Sequence, residues 1–159
     1  MRTTTQNSLA LLAAVGCWGI PQANAAPTIS LEILDSSIVQ GETFDVQVWA
    51  RSARVSGEEL LAFAFHATNP PVATYTGFDS GPLFTPVSET NAVITDLAFP
   101  GIDTNDVLLA TLHLTADSVG SAPLTVQGTY DGLDYGLFYF DSGFDITGSV
   151  QVTVRPPPK

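Results

Sequence analysis

Strict alternation of apolar and polar residues, recurring in short runs, constrains this chain more than any other feature. Ile29, Leu31 and Ile33 alternate with Ser30 and Glu32. Phe44, Val46 and Val48 alternate with Asp45 and Gln47. Leu108, Ala110, Leu112 and Leu114 alternate with Leu109, Thr111, His113 and Thr115, and Val150, Val152 and Val154 with Gln151 and Thr153. A period of two puts one set of side chains on a core and the other on the opposite face, the pattern of a half-buried strand. Leu61-Ala62-Phe63-Ala64-Phe65 is nearly continuous in apolar character, Val93 to Phe99 is a further candidate strand, and Leu124 and Val126 follow Pro123. Clusters of Gly, Pro, Asn and Asp separate these runs. No stretch of ten residues carries a helical stripe, although Ser56-Gly57-Glu58-Glu59 has the composition of a helix cap and predicts one turn up to Leu61. Short strands separated by turn clusters predict an all-β fold, a single β-sandwich of about nine strands.

The first 25 residues read as a targeting segment. Met1-Arg2 supplies positive charge, Leu9 to Val15 an apolar core and Ala23-Asn24-Ala25 a small-x-small cleavage signal. The apolar run is shorter than the roughly 20 residues a membrane span needs, so export is expected, with a secreted or cell-surface product. Ala14-Val15-Gly16-Cys17 also loosely resembles a lipobox, which makes a lipoprotein anchored at Cys17 the alternative. Cys17 is the single cysteine, so residues 26–159 have no thiol chemistry and no disulfide. The expected organisation is a leader over 1–25, one domain over 26–154 and an extended tail over 155–159. The tail, Arg155-Pro156-Pro157-Pro158-Lys159, cannot extend a sheet, because proline has no N–H to donate.

Sixteen acidic side chains beyond the leader face only Arg51, Arg54, Arg155 and Lys159, a net charge of −12. Such a surface repels nucleic acid and anionic membrane. Catalytic patterns are absent: His66 and His113 lie in separate strands, outside any H-E-x-x-H or Ser-His arrangement. The chain is expected not to be an enzyme.

Three binding chemistries remain. Calcium takes six to eight oxygens. Asp103-Thr104-Asn105-Asp106 and Asp131-Gly132-Leu133-Asp134 place oxygen ligands close together, with Asp103, Asp106, Asp131 and Asp134 as candidate ligands and Asp141 to Asp145 as a third group. These residues also favour turns for reasons unrelated to metal. A carbohydrate would stack on exposed aromatic rings: Trp49, which falls on the polar face with Asp45, Gln47 and Arg51, and Tyr135 and Tyr139, which fall opposite Phe138 and Phe140. A protein partner would use a flat face without bulky charge. Ala62, Ala64 and His66 make one if Phe63 and Phe65 fill the core.

Three stretches, in order, resemble the cohesin-like family of jelly-roll sandwiches. Val39-Gln40-Gly41-Glu42-Thr43-Phe44-Asp45-Val46-Gln47-Val48 is similar to the family's V-x-G-[DE]-x-F-x-V-x-V opening strand. Leu60 to Thr68 is similar to its Gly/Ala-Phe-rich aGfqfdl strand. Leu108 to Ala116 with Ser118-Val119-Gly120-Ser121-Ala122-Pro123-Leu124 is similar to its late strand and glycine turn. The resemblance covers roughly residues 28 to 154. One corner departs: Asn69-Pro70-Pro71 stands where the family shows a Tyr-Asp-Pro-like turn. The resemblance implies a non-catalytic module binding a dockerin-like or matrix protein outside the cytoplasm, on a sheet face. Polysaccharide binding is the alternative.

Overall fold

The computed structural model describes residues 26–90, 93–130 and 135–159. Residues 1–25, with Cys17 among them, and Asp131 and Asp134 lie outside them. Twelve strands follow one another: β1 Thr28–Ile33, β2 Ile38–Val39, β3 Thr43–Arg51, β4 Leu60–Thr68, β5 Ala73–Ser80, β6 Thr85–Thr90, β7 Val93–Ile102, β8 Asp106–Ala116, β9 Gly120–Gly128, β10 Gly136–Phe138, β11 Gly143–Phe144 and β12 Ile146–Arg155. Nine of them have six or more residues, in keeping with a sandwich of about nine strands. The other three are short pieces of two or three residues.

The strands form two facing sheets. The smaller has the order β1-β3-β8-β5. The larger runs β11-β10-β4-β9-β12-β2, with β7 on the other edge of β4 and β6 outside β7. On one side of β4, β10 pairs with Ala62 to Ala64 and β9 with His66 to Thr68, so the two share that edge end to end. Between the sheets lie Phe44, Val46 and Val48 from β3, Phe63 and Phe65 from β4, Leu112 and Leu114 from β8, Leu124 and Val126 from β9, and Val152 and Val154 from β12. Burial of apolar area drives this arrangement, at about 25 cal/mol per Å².

Two expectations are corrected. Residues 56–61 make no helical turn. Glu58 N–H donates to the Val55 carbonyl at 3.1 Å, and Val55 and Glu58 pair as an antiparallel bridge around Ser56-Gly57. The β8 alternation also changes phase. Val48 pairs with Ala110 and Trp49 with Leu108, which leaves Leu109 as an extra, bulged residue. Leu109 is therefore buried and Leu108 is not, because one inserted residue turns the strand over.

One polar group breaks the apolar interior. Asp96 of β7 is fully buried, and neither of its oxygens has a hydrogen bond of ordinary geometry. Ser80 Oγ, from the opposite sheet, is buried and equally unsatisfied. Burial pushes the Asp96 carboxyl above the usual range, only partly offset by the nearby Ser80 hydroxyl and Val87 backbone. The folded state thus holds this proton more tightly than the unfolded state. Stability from Asp96 is fully present below the unfolded value of about 4 and is lost as pH rises through the folded one. Asp96→Asn is expected to raise the melting temperature at neutral pH, by a gain on the order of 1–3 kcal/mol. The gain should shrink as pH falls. Melting curves of both proteins between pH 5 and 8 check this, and a pH-independent difference would contradict it.

Candidate functional site

The outer face of the larger sheet carries an apolar row. Across β10, β4 and β7, Phe138 is paired with Ala62 and Ala62 with Leu97. Cross-strand partners point to the same face. Leu97 is 48 % exposed, and Ala62 and Phe138 are half-buried. Two residues further along the flanking strands stand Phe99, fully exposed, and Phe140, 79 % exposed. Val87 of β6 adds an exposed aliphatic side chain at the outer edge.

Both flanking strands turn large apolar side chains away from the core. In β7, Ile94, Asp96 and Ala98 are buried while Leu97 and Phe99 face solvent. In the 135–140 segment, Leu137 and Tyr139 are buried while Phe140 faces solvent. A strand that sinks an aspartate and presents a leucine and a phenylalanine gives up burial energy unless something else covers them.

The surface expected from Ala62, Ala64 and His66 survives at its ends. His66 is exposed, but Ala64 is 1 % exposed between Gly136 of β10 and Thr95 of β7. A partner cannot touch its side chain. Tyr135 stacks on His66 with ring centroids 4.7 Å apart, and its hydroxyl lies 2.8 Å from His66 Nε2. These two residues expected in different sites are therefore one cluster beside the apolar row.

Tyr139 is corrected from a surface ring to a core ring. It is 5 % exposed, and its hydroxyl donates to the Ala53 carbonyl at 2.6 Å. Burial, aided by the Glu58 charge, pushes its phenol far above the ordinary value. The reason is the parity of β10: Leu137 and Tyr139 share the inward face.

Trp49 does lie on the polar face of the smaller sheet, and it is already occupied. The Arg51 guanidinium sits 4.5 Å from its ring centroid, and its Nε1 donates to Gln47 Oε1 at 3.0 Å. Arg51 is held by Glu32, by Ser30 Oγ at 3.1 Å and by Asp106 at 3.6 Å. On the same sheet His113 bridges Asp45 at 2.7 Å and Asp79 at 3.2 Å. The hydrogen bond to Asp45 is the main cause holding its imidazole above the usual value.

Two of the four candidate calcium ligands, Asp103 and Asp106, are engaged by arginines, and Asp131 and Asp134 lie outside the described residues. Asp103 pairs with Arg54 at 2.8 Å and Asp106 with Arg51. Asp145 accepts the Tyr130 N–H at 2.7 Å. Among the described residues no three acidic, histidine or cysteine side chains converge as a metal site.

No family model matches the chain, and no curated protein matches it in sequence. Solved structures do match its fold. The cohesin module of a Clostridium perfringens family 33 glycoside hydrolase superposes with a TM-score of 0.60 at 10 % identity, covering 82 % of this chain and 98 % of that one. A non-cellulosomal cohesin from the archaeon Archaeoglobus fulgidus gives 0.54 at 20 % identity, covering 84 % and 93 %. The sixth cohesin of Acetivibrio cellulolyticus scaffoldin B, in complex with a Cel5 dockerin, gives 0.51 at 13 % identity, covering 84 % and 100 %. With two facing sheets, nine long strands and these neighbours, the chain has a cohesin-like β-sandwich fold.

Proposed function

We propose that this domain is a non-catalytic protein-interaction module that docks its partner on the outer face of the larger sheet. The apolar row of Ala62, Leu97 and Phe138, continued by Phe99, is the observation that carries the reading. Large rings and aliphatic side chains held outward on a flat sheet are the material of an interface centre. The net charge of −12 beyond residue 25 rules against nucleic acid as that partner. The similar cohesin solved with a dockerin bound supports a protein as the occupant. The leader-like composition of residues 1–25 supports action outside the cytoplasm, in scaffold, adhesion or matrix assembly. A polysaccharide has less support, because Arg51 already occupies Trp49.

The test is capture from culture supernatant on immobilised protein, with the retained partner identified by mass spectrometry and its Kd measured. Leu97→Glu combined with Phe99→Ser is expected to leave folding intact, since both side chains are exposed. It is expected to weaken the partner by 30-fold or more, about 2 kcal/mol. Equal affinity of the variant and the wild type would remove this face from the interface.

A further inference from the structure

A second apolar feature lies at one pole of the sandwich. There the turn before β4 meets the β10–β11 hairpin around a cleft of about 290 Å³ lined by Gly57, Glu58, Glu59, Leu61, Phe140 and Asp141. The walls are held from below. Tyr139 is anchored to the Ala53 carbonyl. Glu58 Oε2 accepts the Asp141 N–H at 3.1 Å and the Ser142 hydroxyl at 3.0 Å. The hairpin tip is thus tied to the facing turn, and Phe140 is presented on a fixed support. Around it the carboxylates of Glu59 and Asp141 form no ion pair among the described residues, and none of the lining residues is a cation.

The positive charge of the molecule is distributed in the complementary way. Of the four cations beyond residue 25, Arg51 and Arg54 are consumed by Glu32, Asp106 and Asp103. Arg155 and Lys159 form no ion pair among the described residues. They flank Pro156-Pro157-Pro158, which is exposed and outside any strand. Three consecutive prolines hold an extended, left-handed polyproline conformation at little entropic cost. Such segments dock on exposed aromatic rings, with flanking cations meeting carboxylates.

This segment cannot fill the cleft of its own molecule. Val154 pairs with Gly120 at one end of β9, and Thr68 of β4 pairs with Thr125 further along the same strand. Leu61 lies further still in that direction, about twelve residues of strand from Val154, or about 40 Å. Residues 156–159 reach at most about 14 Å. We propose that the cleft at Phe140 receives the Arg155–Lys159 segment of a second copy, linking copies head to tail. The contact joins two different patches, so repeated use of it builds a closed ring or an open chain of copies. The cleft lies beyond the Phe138 end of the docking face and shares Phe140 with its apolar row, and the peptide titration reads the cleft alone.

Light scattering of the purified protein across a concentration series, at low salt and at 0.5 M salt, reads the assembly. A fluorescent peptide Arg-Pro-Pro-Pro-Lys, titrated with the same protein, reads the site by anisotropy. The wild type is expected to gain average mass with concentration at low salt and to lose that gain at high salt. The doubly substituted R155E/K159E protein should remain monomeric yet still bind the peptide. Phe140→Ser, at an exposed position, should remain monomeric and bind the peptide at least tenfold more weakly. A wild-type mass that stays monomeric throughout overturns the proposal, as does a peptide that fails to bind or that binds Phe140→Ser as well as wild type.

Discussion

Phe63→Ala is expected to cost the domain about 3–5 kcal/mol, the range for emptying a buried aromatic site. Phe63 is fully buried at the middle of β4. Its ring stacks on Phe65 at 5.6 Å and meets Phe84 edge-on at 4.8 Å. Phe84 belongs to the connection that carries the chain from the smaller sheet to the larger. Removing Phe63 therefore takes away the contact that seats this connection as well as the transfer energy of one ring. Residues 26–159 contain no cysteine, so no disulfide limits the damage. A domain of this kind has only about 5–15 kcal/mol in total. Urea unfolding should show a large drop in midpoint with an unchanged slope. A loss below about 1.5 kcal/mol would mean that the site collapses around the cavity and that Phe63 is not central to the core.

That core was legible because it follows the period of two. Phe44, Val46 and Val48 alternate without interruption, and all three are buried. Phe63 and Phe65 were placed inward for the same reason. Of the proposed partner face, Ala62 and His66 were legible, but Leu97 and Phe99 were not, because they break the rule that serves elsewhere. Between Val93 and Phe99 the bulkier set is Val93, Leu97 and Phe99, so hydrophobicity alone sends it inward. The structure buries Ile94, Asp96 and Ala98 instead. The same reversal puts Tyr139 in the core and Phe140 in solvent. Parity was right in the 135–140 segment, but which parity faces the core depends on how β10 pairs with β4, a contact between residues more than 70 positions apart. The bulge at Leu109 is a further non-local feature: only its pairing with Val48 and Trp49 reveals the extra residue. The Asp103–Asp106 cluster stands at the connection from β7 to β8, and Asp131 and Asp134 lie outside the described residues. Asp103 and Asp106 answer to arginines that the sequence places some 50 positions away.

Gly81→Ala tests such a non-local constraint directly, and its effect is expected to rival that of the core substitution. Read along the chain, Ser80-Gly81-Pro82 is an ordinary turn signal. In the fold, a methyl group at position 81 would lie 1.8 Å from the Leu108 carbonyl oxygen and 2.8 Å from its carbon, with the Leu109 oxygen at 3.0 Å. All three are backbone atoms of β8, and they cannot swing aside as a flexible side chain would. Gly81 also donates its N–H to Leu109 at 2.8 Å and accepts from Phe84 at 2.9 Å, so relief of the clash breaks one or both bonds. A loss of about 3 kcal/mol or more is expected, at or above the upper end for overpacking. Gly41→Ala is the informative control. Gly41 also sits in a turn with a positive φ of 90°, but nothing lies within 4 Å of the added methyl group. It should cost only about 1–2 kcal/mol of backbone strain. The Gly81 change should also reach the docking face, because residues 81–84 lead into β6, and β6 pairs with the β7 strand that presents Leu97. Denaturation midpoints and partner affinity should therefore both fall for Gly81→Ala, while Gly41→Ala loses some stability and keeps its affinity. If the two variants lose the same stability, the close approach of Gly81 to β8 is not what constrains this turn.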